Sequence, residues 1–126
     1  MKKIIICLTI IFIYALLTIG VLLTYNKQSF KGTLNKNDST YILDATYING
    51  KNTHTLKLTE DSHIKVEFKT TKGTMKLTII DPNKNVIFEG NGIDVNTFTI
   101  QIKESGNYDI IIKASHASGK IKITNI

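Results

Sequence analysis

Three histidines, one cysteine and ten scattered carboxylates are the residues of this chain with types suited to acid–base or metal chemistry. Zinc needs three or four N, S or O ligands converging in space. His54 and His63 lie on either side of a turn, and His116 stands in a distant loop. His54 shares the inward parity of Leu56 and Leu58, whereas His63 falls outside that of Ile64, Val66 and Phe68. The lone cysteine, Cys7, sits in an apolar N-terminal run and makes no internal disulfide. Calcium needs six to eight oxygens, and Asp38, Asp44, Asp81 and Asp94 show no alternating aspartate spacing. Ser115, His116 and Ser118 lack the buried acid that would orient the histidine as a base. The sequence therefore offers no catalytic, metal or cofactor site, and the chain reads as a non-enzyme.

Binding chemistry is better represented. All sixteen basic residues are Lys. From Asn26 onward fourteen Lys face ten Asp plus Glu, a balance of +4. Without Arg the bidentate contacts to phosphate and guanine are missing, which argues against nucleic acid. Lys65, Lys69, Lys76, Lys120 and Lys122 share outward parity on their strands. Such a face suits anionic lipid headgroups or wall polymer, and equally suits the plain task of keeping a sheet soluble and its edges unpaired. Carbohydrate stacking calls for exposed aromatics. Trp is absent, and Phe68, Phe98 and Tyr108 have inward parity; Tyr41 and Tyr47 are opposite in parity to Ile42 and Ile48, so one of these two sets is outward, and the tyrosines form either an aromatic patch or a second packed sheet face.

The elements that must position these residues are strands. After Tyr25 the apolar period is two. Thr40 to Ile48, Thr53 to Leu58, His63 to Thr70, Thr74 to Ile80, Val86 to Phe88, Thr97 to Lys103, Tyr108 to Lys113 and Lys120 to Thr124 each alternate or read as a short strand. Asn49-Gly50, Glu60-Asp61-Ser62, Thr71-Lys72-Gly73, Asp81-Pro82-Asn83-Lys84-Asn85, Glu89 to Gly92, Glu104 to Asn107 and Ser115 to Gly119 are the turn signals between them. Short strands at this spacing predict an all-β fold, a jelly-roll-like antiparallel β-sandwich of seven or eight strands over residues 39–126. Residues 26–38 read as a linker in which Phe30 and Leu34 dock loosely or start an edge strand.

The 22 residues from Ile4 to Tyr25 carry no charge and follow Lys2 and Lys3. A hydrocarbon core takes roughly 20 apolar residues in helix. Ile4, Ile5, Ile6, Phe12, Leu16, Leu17, Leu22 and Leu23 would line such an anchor, with residues 1–25 as a transmembrane helix ahead of the sandwich. A cleavable export signal is the alternative, but its apolar centre is shorter and ends in a small-residue site; none follows Leu23 here. Lys2 and Lys3 favour a cytoplasmic N-terminus. The expected location is thus the plasma membrane, single-pass, with the C-terminal domain extracytoplasmic.

Gly73 to Ile87, with Asp81 at its turn, resembles the strand, aspartate turn and strand of the bacterial pre-peptidase C-terminal domain. Ser105-Gly106-Asn107-Tyr108 is similar to that family's strand opening, and Gly119 to Ile123 to its closing strand. Asn83 and Asn85 stand where such domains usually place Gly, and Lys120 and Ile121 where an aromatic is common. The resemblance covers about half the chain. It implies a non-catalytic module and carries over no site residue. Together these features lead to the expectation of a membrane-anchored binding or scaffolding module of a bacterial envelope, whose partner is an envelope protein. The alternatives are a basic module for anionic lipid or wall polymer, and a secreted β-module released by signal cleavage.

Overall fold

The computed structural model describes residues 28–93 and 97–126; the anchor expected over 1–25 lies outside them. Six strands form one antiparallel sheet: β1 (Ser29–Lys36), β2 (Thr40–Leu58), β3 (His63–Ile80), β4 (Val86–Gly90), β5 (Thr97–Gln101) and β6 (Gly106–Asn125). The order is β1-β2-β6-β3-β4, with β5 also paired to β3. The alternation expected from the sequence is present, but the count of seven or eight strands is corrected to six among the described residues. Three of the six are long, 19, 18 and 20 residues, and each joins two segments that the sequence reading separated by a turn. The segment read as a linker is, from Ser29 to Lys36, an edge strand registered along β2 from Asn49 to Tyr41.

Asn49-Gly50, Thr71-Lys72-Gly73 and Ser115–Gly119 do not reverse the chain. Register shifts fall at Ala45/Ile48/Gly50 in β2 and Thr70/Lys72/Thr74 in β3, both beside the Ala114–Gly119 stretch of β6. They form one line of irregularity across three neighbouring strands. Bulges add a residue, bend the strand and reset which parity faces inward. Tyr41, Leu43 and Ala45 are buried before the line in β2, and Ile48, Leu56 and Leu58 after it. The parity likewise changes from Ile64, Val66 and Phe68 to Met75, Leu77 and Ile79 in β3, and from Tyr108, Ile110 and Ile112 to Ala117, Ile121 and Ile123 in β6.

The bend folds the sheet onto itself. A straight strand the length of β2 would span about 60 Å, yet the Lys57 amide donates to the carbonyl of Asp38 at 2.6 Å. Tyr41 Oη donates to Asn52 Oδ1 at 2.9 Å, again joining the two halves of β2. One layer comprises β1, β2 over 40–45, β6 over 119–124, β3 over 63–70, and β5. The other comprises β2 over 50–58, β6 over 106–114, β3 over 74–80, and β4. Buried side chains of both layers form a single apolar core. Phe88 of β4 and Phe98 of β5, with ring centroids 4.4 Å apart, close one side of it.

Candidate functional site

The sandwich has two ends of different construction. At the bend end the three long strands cross from layer to layer. At the loop end lie the connections 37–39, 59–62, 81–85 and 102–105. This geometry sorts the polar residues singled out from sequence.

Four of the five lysines expected to form one face do share a face, the outer surface of the first layer. There Lys65, Lys69, Lys120 and Lys122 stand on the adjoining strands β3 and β6, with Lys69 opposite Lys120 and Glu67 opposite Lys122. They are interleaved with acids: Lys65 pairs with Glu67 at 3.4 Å and Lys120 with Asp44 at 3.7 Å. Lys69, Lys120, Lys122, Asp44 and Ile42 line a shallow depression of about 320 Å³. Lys76 is on the other layer and pairs with Glu89 at 2.8 Å. The bulge line separates it from the rest, which strand parity alone does not show.

Sequence reasoning missed a second basic group. On the outer surface of the second layer Lys51 is opposite Lys113, and Lys113 is opposite Lys76, a row of three lysines across three adjacent strands at the bend. Like charges directly opposite each other disfavour a sheet. Among the described residues, Lys51 and Lys113 have no ion pair. Lys31, on β1 beside Tyr47, and Lys72, at the bulge of β3, are exposed at the same end. The loop end carries Asp38, Glu60, Asp61, Asp81 and Glu104.

The histidines are held apart. His54 stacks at a tilt on Tyr41, with centroids 5.7 Å apart, and its Nε2 lies 2.6 Å from the Asn37 carbonyl, to which only a protonated ring nitrogen can donate. His116 Nδ1 lies 2.7 Å from Tyr47 Oη at the bend. His63 is exposed at the start of β3. Among the described residues no three His, Cys, Asp or Glu side chains group as metal ligands. Ser118 Oγ donates to the Thr46 carbonyl at 2.6 Å, and the His116 amide donates to Asn49 Oδ1 at 3.1 Å, so both residues fasten the bend. The aromatic patch resolves by the same bulge: Tyr41 and Ile48 are buried, while Tyr47 and Ile42 are half-buried. Burial raises the Tyr41 hydroxyl pKa well above its ordinary value.

Among the described residues, part of the β2 edge has no strand beside it. β1 covers β2 only from Tyr41 to Asn49. Beyond it, Gln28 Nε2 donates to the Lys51 carbonyl at 2.8 Å, and the Lys57 amide is taken by Asp38. Backbone groups of an edge strand alternate between neighbour and solvent, so Thr53 and Thr55, of the same parity, present their N–H and C=O outward.

No family model matches the sequence, and no curated protein matches it significantly. A solved structure does. The fold is similar to that of PliG from Aeromonas hydrophila, a periplasmic lysozyme inhibitor of g-type lysozyme, with a TM-score of 0.53 and 12% identity, over 75% of this chain and 93% of that one. The likeness is one of fold. Among the described residues no helix is long and apolar enough to cross a membrane.

Proposed function

We propose that this chain is a non-catalytic binding module, tethered by residues 1–25 and holding its sandwich outside the cytoplasm, and that its partner is a protein of the envelope. The observation that carries the reading is the match of this sandwich to nearly the whole length of a periplasmic protein inhibitor. The uncharged run from Ile4 to Tyr25 supports the tether. The open edge at Thr53 and Thr55 offers a place for an extended segment of the partner to add to the sheet. Because the solved relative inhibits a g-type lysozyme, an enzyme of that class is the first partner to try.

Membrane fractionation with protease protection, on cells making the C-terminally tagged chain, tests the tether. The expected result is a full-length, membrane-bound protein whose domain is cleaved from outside. A shortened protein in the medium would replace the tether with a secreted module. Crosslinking from Thr53 or Thr55 tests the partner, and should trap a protein or lower the rate of an added g-type lysozyme. Loss of capture together with an unchanged lysozyme rate would remove the protein-partner reading.

A second reading is favoured by one observation, the depression in which Lys69, Lys120 and Lys122 outnumber Asp44 and Glu67. In that reading the outer face of the first layer takes an anionic polymer, and binding falls with salt because exposed charges are screened. Protein capture at the open edge should survive the same salt.

A further inference from the structure

The lysine row at the bend lies where the chain leaves its N-terminal segment. Gln28, the first described residue, donates through its side chain to the Lys51 carbonyl. The same side chain covers Gly50: a Cβ added there would meet Gln28 Cγ at 2.6 Å. Only two residues separate Gln28 from Tyr25, where the uncharged run ends. Three steps of extended chain reach about 11 Å at most. On the tether reading, an anchor ending at Tyr25 would hold Gln28, and with it Lys51, within that reach of the bilayer, so that the bend end would be the end nearest to it.

The composition of that end agrees. Lys51, Lys113 and Lys76 stand abreast on three strands. Thr74, Ser115, Lys76 and Lys113 line a depression of about 250 Å³ between two of those strands. Among the described residues, Glu89, at Lys76, is the one acid paired in this row. Phe30, opposite Ile48 at this end of β1, is 41% exposed, a position suited to an aromatic at the headgroup level. The carboxylates of the loops, Asp38, Glu60, Asp61, Asp81 and Glu104, are at the opposite end, where they alternate with Lys36, Lys57, Lys84 and Lys103.

We propose that the bend end docks on anionic phospholipid headgroups of the membrane that tethers the chain, through Lys51, Lys76 and Lys113, so that the loop end, where charges of both signs mix, points away. Phosphate oxygens neutralise Lys51 and Lys113, which no acid among the described residues pairs, and add to the charge that Glu89 meets at Lys76. Docking fixes the orientation of the domain and sets the open edge of β2, at Thr53 and Thr55, just above the surface. The proposal rests on the tether reading above.

The test is lysine acylation read by mass spectrometry on the full chain in nanodiscs of phosphatidylcholine with and without phosphatidylglycerol. The expected result is a several-fold slower acylation of Lys51, Lys76 and Lys113 when phosphatidylglycerol is present, with Lys84 and Lys103 at the loop end unchanged. High salt should abolish the difference. In the double variant Lys51→Gln, Lys113→Gln the protection of Lys76 should be lost, while Lys84 and Lys103 keep their rates and report an intact fold. Equal rates at both ends in a chain that is embedded in the disc would overturn docking and leave the tether standing. A chain that stays out of the disc would overturn both. Protection by a soluble polyanion but not by phosphatidylglycerol would overturn the lipid in favour of polymer.

Discussion

The bend end and the loop end of the sandwich use the same kinds of residue for opposite purposes. At the loop end, short polar side chains close the chain on itself. Asp81 Oδ1 accepts the amides of Asn83 and Asn85 at 2.9 and 2.8 Å, Ser62 Oγ donates to the Thr59 carbonyl at 2.6 Å, and Tyr108 Oη donates to the Glu104 carbonyl at 2.6 Å. At the bend, the bonds run between strands. Ser118 reaches Thr46, Thr71 Oγ1 donates to the Ser118 carbonyl at 3.1 Å, and His116 is tied to both Tyr47 and Asn49. Glycine, asparagine and serine permit the chain to leave regular geometry in either setting. Whether it reverses or passes through depends on which strands lie alongside.

This contrast predicts that the bend is the less forgiving region. Gly73 has φ +64°, and an added Cβ would meet the backbone oxygens of His116 and Ser115. The obstacle belongs to the adjoining strand, so neither a rotamer change nor a flexible tip can relieve it. Gly73→Ala should destabilise the full chain by about 2–4 kcal/mol, combining left-handed strain with overpacking. Urea titration followed by tyrosine fluorescence reads the loss, since the chain has no Trp. A change under about 1 kcal/mol would mean that the bend yields as a loop does, and the distinction between the two ends would fail.

Period two made the strands legible, and with them the buried residues: Ile64, Val66, Phe68, Met75, Leu77, Ile79, Tyr108, Ile110, Ile112, Ile121 and Ile123 all face the core as their alternation requires. The passage of three strands through the bend was not legible. Asn49-Gly50 satisfies a hairpin and a bulge equally well, because both need a residue that tolerates positive φ; Gly50 has φ +115°. The one local cue is that alternation resumes after a single skipped place, from Ala45 to Ile48 and from Ala114 to Ala117. The lysines show the same limit. Parity puts a side chain outward, but the register between distant strands decides which lysines are neighbours. Lys76 thus parts from Lys65 and Lys69 on its own strand and joins Lys51 and Lys113.

Two buried tyrosines compare a tie across the fold with a tie within a turn. Tyr41 joins the halves of β2 through Asn52, and Tyr108 bonds the adjoining turn at Glu104. Burial raises both hydroxyl pKa values. Above a pH of about 10, the unfolded tyrosines ionise while the folded ones stay protonated. The native state then binds more protons than the unfolded one, so stability falls as pH rises from there. Tyr41→Phe should cost about 1 kcal/mol at neutral pH through the lost hydrogen bond. It should also make the alkaline decline shallower by up to about 1.4 kcal/mol per pH unit. Urea midpoints between neutral and strongly alkaline pH measure both. An unchanged alkaline slope would show that Tyr41 ionises in the folded protein as freely as in the unfolded one.

The finest comparison takes two residues that share a positive φ and stand at opposite ends of the molecule. Lys84 at the loop end and His116 at the bend both have positive φ, +68° and +43°, where a Cβ is strained and glycine is not. The Lys84 amide donates to the Asp81 carbonyl, a bond that glycine keeps; its side chain makes an exposed contact to Asp109 at 3.7 Å, and such pairs contribute little. Lys84→Gly should therefore raise stability by about 0.5–1 kcal/mol, relief of strain outweighing the added freedom of the unfolded chain. His116→Gly relieves the same kind of strain but removes the ring that bonds Tyr47 Oη, and should lower stability by about 0.5–1 kcal/mol. Opposite signs at these two positive-φ positions would show that the bend is held by side chains spanning its strands. A gain in both variants would assign the bend to the backbone alone, with the Tyr47–His116 contact contributing nothing to it.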